Sequence, residues 1–403
     1  MHIKNNSHLS YCSNIHPGES WKDTFNNLKN HTTVVRDSVS AKEPFGIGLR
    51  LSNEASLEIS TGDHLAEFKD WMQSENMYVF TMNGFPYGNF HKHIVKDQVH
   101  APDWTTSDRL AYTNRLFDIL KDILPTGIDG GISTSPLSYR FWHKTKSDLD
   151  SATSESAKNM AATIGHLYKI NDTQGVNMHL DIEPEPDGIL ENSNEVESFF
   201  QEYMLRQGVQ YLVKETGLSK SQAEEAIHKH WQLCYDVCHF AVGYEEPSEV
   251  VDKMKALGIG IGKVQISAAL KAKWNNESDQ GEIKKHLEKF DEKVYLHQSV
   301  MRKNNGELDH FNDLSPALKA MMGSTYEEIR THYHVPIFTE EYGMLQSTQS
   351  DIVRSLEYWK SNAYSNHLEI ETYTWDVLPS DLKLDLTDCV IREMEWTLGL
   401  LNK

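Results

Sequence analysis

The chain reads as an α/β protein, a (β/α)8 barrel of 403 residues with a long insertion before its last strand. Three observations predict this. Eight short apolar segments with strand character alternate with helical segments. No composition break, repeat or flexible linker divides the chain, so one domain covering 1–403 is expected even though the length exceeds the usual single-core limit. The last four strand segments close on polar residues, at the position where barrel enzymes place their chemistry.

The first strand is expected at Leu9 to Ile15, followed by the turn His16-Pro17-Gly18-Glu19-Ser20-Trp21 and a helical stretch to Asn30. Phe45 to Leu51 is the second strand, and its helix opens at Asp63 with Leu65, Phe68 and Met72 on one face. Met77 to Met82 is the third. It runs into Asn83-Gly84-Phe85-Pro86-Tyr87-Gly88-Asn89-Phe90-His91, a loop whose glycines, proline and aromatics suit the wall of a pocket. A helix from Ser107 to Leu124 stops at Pro125, and Gly131 to Ser135 makes the fourth strand. A helix from about Ser154 to Ile170 leads to the fifth strand, Met178 to Glu183.

Ser221 and Glu224 have capping-box spacing for the helix that enters the sixth strand, Leu233 to Asp236 and on toward His239. His228 and His230 on that helix are two apart and are read as surface residues. The helix beginning at Pro247 ends at Gly258 and feeds the seventh strand, Lys263 to Ser267. The connection 270–367 is too long for a simple crossover. It holds helical stretches at Glu282 to Phe290, Pro316 to Met322 and Ile352 to Trp359, with apolar runs at Val294 to Val300 and His332 to Phe338. It is expected to pack as an insertion over the carboxyl-terminal mouth of the barrel. Leu368 to Glu371 is the eighth strand, and Asp385 to Leu400 a terminal helix.

The strand ends carry the candidate chemistry. Glu183, Asp236, Gln265 and Glu371 around one centre would make a divalent-cation site. Glu183 and Glu371, from strands on opposite sides, could remove a proton from a carbon beside a carbonyl and return it on the other face. His239 could reach the metal or a substrate hydroxyl. His332 and His334 share a side of an extended segment and could complete a second metal site. His16, Asn83, His91 and His297 are candidates for substrate binding. Glu185, held between Pro184 and Pro186, is read as a surface carboxylate, and Cys234 and Cys238 as inert cysteines in a strand and the loop after it.

Composition narrows the partners. With 59 acidic and 39 basic residues the net charge is −20, which repels phosphate backbones and argues against a nucleic-acid partner. No apolar run approaches the ~20 residues of a membrane span. Cys12, Cys234, Cys238 and Cys389 show no disulfide framework, and Met1 to Asn6 has no apolar signal core, so a cytoplasmic location is expected.

Ile182-Glu183-Pro184, Asp236-x-x-His239 and Glu371-Thr372 resemble the carboxylate motifs of the xylose isomerase-like TIM-barrel superfamily, which contains sugar isomerases, ketose 3-epimerases and endonuclease IV. Over nearly the whole chain the sequence is similar to the EboE family. The segments Ser10 to Trp21, Asn83 to Gly88 and Glu371-Thr372-Tyr373-Thr374-Trp375-Asp376-Val377-Leu378-Pro379 resemble that family's signatures. The resemblance implies a TIM barrel, a metal, and a part in the traffic of secondary metabolites alongside other products of the ebo gene cluster. Superfamily epimerases use Glu, Asp, His and Glu as ligands, which fall on Glu183, Asp236, Gln265 and Glu371. Gln265 in place of histidine, a harder and weaker ligand, favours Mg²⁺ or Mn²⁺ over Zn²⁺ or leaves the site poorly occupied. His332-x-His334 resembles the Asp-x-His motif of endonuclease IV with its aspartate replaced.

The expected function is a divalent-metal-dependent isomerase or epimerase of a small polyhydroxylated or carbonyl metabolite. The alternatives are a metabolite-binding or transport accessory barrel without turnover, and an endonuclease IV-like zinc phosphodiesterase.

Overall fold

The computed structural model describes residues 1–88, 94–274, 276–322, 326–375, 378 and 385–402. Seven parallel strands come first: β1 His8–Tyr11, β2 Phe45–Arg50, β3 Met77–Asn83, β4 Gly130–Thr134, β5 Met178–Ile182, β6 Trp231–Asp236 and β7 Ile261–Ile266. Six strands of a second sheet follow: β8 Ala268–Lys273, β9 Ser299–Lys303, β10 Leu308–Phe311, β11 Tyr326–Val335, β12 Glu341–Tyr342 and β13 Leu345–Ser347. The last strand, β14 His367–Ile370, returns to the first sheet.

The first sheet has the order β1-β14-β7-β6-β5-β4-β3-β2, and a parallel bridge between Cys12 and Gly48 draws its two edges into a nearly closed barrel. All residues of β2, β3, β4, β5 and β7 are buried, as expected for strands covered by helices outside and by each other's side chains inside. Helices alternate with the strands, and several of their starts are capped by side chains. Ser20 accepts from the Asp23 N–H, Ser52 from Ala55 and Thr106 from Arg109.

The barrel interior is polar at its heart. Lys263 Nζ lies 3.0 Å from Glu369 Oε1 and donates to the Met82 carbonyl at 3.0 Å, with both ionic side chains fully buried. Gly48 makes room for the glutamate: a Cβ there would fall 2.0 Å from Glu369 Oε2. Burial opposes charge on Lys263, but the adjacent Glu369 carboxylate outweighs it and holds the ammonium above its ordinary pKa.

The second sheet, of order β10-β9-β11-β8-β13-β12, is antiparallel and begins at Ala268, two residues after β7 ends. The apolar runs expected at 294–300 and 332–338 overlap β9 and β11 but do not disclose six strands, because most of the others are short or half exposed. The expected helix at 352–359 is the core of Gln349–Asn362, the crossover helix leading into β14.

Several local expectations are corrected. β1 ends at Tyr11, and Ser13–Ile15 is a 3-10 turn. The helix placed from Ser154 starts at Lys146, where Thr145 and Asp148 form a capping box, and runs to Gln174. The capping box placed on Ser221 and Glu224 is formed by Ser219 and Gln222, because the left-handed Gly217 ends the previous helix just upstream. His230 is fully buried, with Nδ1 2.6 Å from the Met178 carbonyl, because the last turn of its helix packs on β5. Cys238 lies in the helix Val237–Val242, since Asp236 ends β6 and caps that helix at once.

Candidate functional site

At the carboxyl end of the barrel, β5, β6 and β14 deliver Glu183, Asp236 and Glu371 to one point. All three are buried, and each offers a carboxylate oxygen within 4.8 Å of the other two. Asp236 is fixed by its own backbone chemistry. Its Oδ1 accepts from the His239 N–H at 3.1 Å, capping the next helix, and from Ser267 Oγ at 2.7 Å, while Oδ2 has no hydrogen-bond partner among the described residues. Glu371 is held through Oε1, which accepts Nδ2 of Asn14 and Nδ2 of Asn83, both at 2.8 Å. Glu183 Oε2 has no hydrogen-bond partner among the described residues. Burial pushes the Glu183 acid well above its usual range, and the negative neighbours Glu371, Asp236 and Glu185 add to the shift. Burial followed by Asp236 and Glu369 does the same for Glu371. A cation at this point would reverse that repulsion.

The histidines approach from the helix after β6 and from β11 of the second sheet. His334 Nδ1 lies 2.9 Å from the Glu371 carbonyl, which can only accept, so the ring proton sits on Nδ1. The bare Nε2 then faces Asp236 Oδ2 at 4.0 Å, two electron-rich atoms pointing at one another. His239 donates Nδ1–H to the Pro184 carbonyl at 2.9 Å. His332 donates Nδ1–H to Gln298 Oε1 at 2.9 Å, an orientation of the amide fixed by Gln298 Nε2 donating to the Pro186 carbonyl. The Nε2 atoms of His239 and His332 are therefore directed at each other, 3.1 Å apart. Burial, and then its neighbours His239 and His334, hold the pKa of His332 well below the ordinary imidazole value. Imidazoles that give one N–H to a carbonyl or amide oxygen and turn the other nitrogen toward carboxylates are arranged as metal ligands are. The donor set fits one divalent cation among Glu183, Asp236 and Glu371, with His334 beside it. A second position adjoins it, where ligand atoms of Glu185, His239 and His332 also lie within 4.8 Å of one another.

A cavity of about 550 Å³, open mouth included, lies over these groups; Glu183, Glu371, Asn83, His239 and His332 are on its wall. So are residues the sequence reading passed over. Asn14 and Gln298 have the contacts given above. Glu185, expected at the surface, is buried, with Oε1 2.7 Å from Nε2 of His100, because Pro184 and Pro186 turn the chain back across the mouth. A charged residue between two prolines directly after a candidate ligand, Glu183, was the available signal for Glu185. His100 and Gln298 had none, being brought in from distant loops.

The remaining candidates sit elsewhere or in different roles. Gln265 is buried beneath the cluster, its Oε1 accepting from the Cys234 thiol at 2.9 Å and its Nε2 without a partner among the described residues. His297 lies behind His332, with Nδ1 3.0 Å from the His332 carbonyl and Nε2 2.7 Å from Glu292, so neither nitrogen faces the cavity. His16 hydrogen-bonds Tyr11 through Nε2 at 3.1 Å and stacks on His31 outside the cavity wall. His91 lies outside the described residues.

No family model matches the chain, and no curated protein matches it. Solved structures do. A xylose isomerase-like TIM barrel protein from Mycobacterium smegmatis in complex with magnesium is 12% identical, with 100% of this chain and 98% of that chain covered, at a TM-score of 0.51. A D-allulose 3-epimerase from Methylomonas sp. in complex with D-allulose is also 12% identical, covering 99% of each chain at 0.47. The IOLI protein with a binding zinc atom is 11% identical, covering 98% of each at 0.45. The fold is the xylose isomerase-like TIM barrel. No described helix is long and apolar enough to cross a membrane.

Proposed function

We propose that this protein is a divalent-metal-dependent isomerase or epimerase of a small polyhydroxylated carbonyl metabolite, acting in the cytoplasm. The observation that carries the reading is the placement of Glu183 and Glu371: two buried carboxylates with elevated pKa, on the wall of one cavity, joined through the unpartnered oxygen of Asp236. Glu183, Asp236 and Glu371 would hold the ion, with His334 supplying the imidazole that position 265 lacks. Turning the Gln265 amide over would offer its oxygen as well. The bound ion would polarise the substrate carbonyl and hydroxyl oxygens and stabilise negative charge developing on them.

The protein groups supply the proton chemistry. One glutamate, as carboxylate, takes the proton from the carbon beside the carbonyl, and the electron pair of that C–H bond moves toward the carbonyl carbon. The other, as acid, returns a proton to the same carbon from the opposite face for epimerisation, or, once the adjacent hydroxyl has passed its proton to the former carbonyl oxygen, to the neighbouring carbon for aldose–ketose isomerisation. Asn14 and Asn83 keep Glu371 Oε1 in place, leaving its other oxygen for the reaction. The His100–Glu185 pair and Gln298 bring further polar groups to the same wall for substrate hydroxyls. Within the superfamily, the EboE-like segments favour a metabolite made or moved in secondary metabolism, with other ebo-cluster products as partners.

The test is solvent exchange. The purified protein with Mn²⁺ or Mg²⁺, incubated with a panel of ketoses and aldoses in D₂O, should incorporate one deuterium beside the carbonyl, and Glu183→Gln and Glu371→Gln should each abolish it. No incorporation across the panel by a protein shown to hold metal would remove the isomerase reading. One observation favours a second reading, a zinc phosphodiesterase: the adjoining Glu185, His239 and His332 group supplies a second, imidazole-rich position. Release of p-nitrophenol from bis-p-nitrophenyl phosphate with Zn²⁺, and none with Mg²⁺, would select it. Tight metabolite binding with neither activity would leave an accessory binding barrel.

A further inference from the structure

The opposite, amino-terminal end of the barrel holds a second group of ligand-type side chains that the proposed reaction does not use. Asp129 precedes β4, His179 is the second residue of β5, and His367 opens β14. Their ligand atoms lie within 4.8 Å of one another. His179 gives its Nδ1 edge to Asp181 Oδ1, 2.6 Å away, which leaves Nε2 toward Asp129 Oδ2 at 3.5 Å. His367 Nε2 stands 3.6 Å from the other oxygen, Asp129 Oδ1. Both separations are longer than an ordinary N–H···O hydrogen bond. They lie near the spacing of about 3.3 Å between two ligand atoms held at 2.0–2.1 Å from a tetrahedral ion.

His367 supplies an independent observation. Its side chain is fully buried, and among the described residues neither ring nitrogen has a partner at ordinary hydrogen-bond distance. A buried imidazole with both nitrogens unmet is costly unless something else satisfies it. The ring packs edge-on against Phe80, a dry wall that would strengthen an ionic bond made at Nε2. The barrel also leaves space for the His179 ring. A Cβ on Gly131 of β4 would lie 2.5 Å from His179 Cε1, and one on Gly262 of β7 would lie 2.7 Å from His179 Nδ1. Asp129, about one-third exposed, lines an open surface depression formed by the ends of the flanking helices and loops, which gives an ion a way in and leaves a fourth position for water.

The geometry points to a transition-metal site of the zinc type at the amino-terminal end of the barrel, with Asp129, His179 and His367 as ligands and Asp181 orienting His179. Its place, far from the catalytic mouth and tying β5 and β14 to the loop before β4, makes it a structural staple rather than a second reaction centre. It stands independently of the isomerase proposal, since no residue is shared.

Two measurements on the full chain test it. Crystals grown with Zn²⁺ should show an anomalous peak at the zinc edge within bonding distance of His179 Nε2, His367 Nε2 and an Asp129 oxygen. In solution, the Asp236→Asn, Glu371→Gln, His332→Gln variant, impaired at both positions of the upper site, should bind one Co²⁺ per chain with the visible absorption of a tetrahedral ion. Adding His367→Gln should abolish that absorption while the far-ultraviolet circular dichroism stays unchanged. Zinc found only at the mouth of the barrel would overturn the assignment. So would an NMR spectrum in saturating Zn²⁺ with both His179 nitrogens still protonated, which would make that ring a proton bridge between Asp129 and Asp181.

Discussion

Replacing Lys263 by methionine is the most direct test of how the barrel interior is held. The substitution keeps an unbranched chain of similar length and removes the ammonium, leaving Glu369 buried without its cation, and the Met82 carbonyl and Ser133 hydroxyl without their donor. Breaking one side of a buried pair costs about 3–5 kcal/mol. For 403 residues the unfolding entropy near the midpoint is about 0.85 kcal/mol/K, so Tm should fall by roughly 4–6 °C. Adding Glu369→Gln removes the stranded charge, and the double variant should recover at least half of the loss. Thermal and urea unfolding, followed by circular dichroism on single and double variants, provide the double-mutant cycle. A Lys263→Met protein within about 1 kcal/mol of the parent, or a double variant less stable than the single one, would refute the view that this pair carries the centre of the barrel.

Other outcomes follow from the site. Asn83→Ala removes one of two amides on Glu371 Oε1; at about 1.5–3 kcal/mol for a hydrogen bond to a charged group, kcat in the exchange assay should drop about 10–100-fold with KM little changed. Asp236→Asn keeps an oxygen to cap its helix but discards the charge, so calorimetric affinity for Mn²⁺ should fall by more than the roughly 10–100-fold typical of losing an outer partner; unchanged affinity would remove Asp236 from the ligand set. Glu393, buried against Thr372 and the Ile337 N–H, has its pKa pushed up to about 8 by burial. The folded protein keeps that proton while the unfolded chain loses it near pH 4.5, so stability falls as pH rises from about 4.5 to 8 and levels off above. Glu393→Gln should remove on the order of 3–5 kcal/mol of this slope, read from urea midpoints at pH 5 and pH 8. Identical slopes would show that Glu393 ionises normally.

The barrel was legible because its eight strands are apolar runs long enough to stand out against helices of different period. The carboxylate cluster was legible because Glu183, Asp236 and Glu371 fall at strand ends, where side chains must leave the barrel's packed interior. What the sequence concealed depends on partners far apart in the chain. His100 and Glu185 meet across 85 positions, and Lys263 and Glu369 belong to strands separated by the whole second sheet. A lysine and a glutamate in the middle of Ile261–Ile266 and His367–Ile370 were a usable sign, since ionic groups enter such runs only when they find each other. His179 and His367 stand at the starts of their strands, where polar residues ordinarily face solvent, and only the closed sheet turns them inward. The inserted sheet escaped because its strands gain their partners from the tertiary fold, with little apolar alternation of their own.

The origin of His332 and His334 in the inserted sheet makes the proposed chemistry depend on assembly as well as on side-chain identity. The barrel can be fully formed and still lack the imidazoles of His332 and His334 at its mouth if that sheet docks a few ångströms away, because His334 finds the Glu371 carbonyl, and His332 finds His239, only in the seated arrangement. Turnover would then act as a proofreading signal for the seam between the two sheets. Substitutions along that seam, remote from any substrate, should surface first as lost activity in molecules whose circular dichroism and melting remain ordinary.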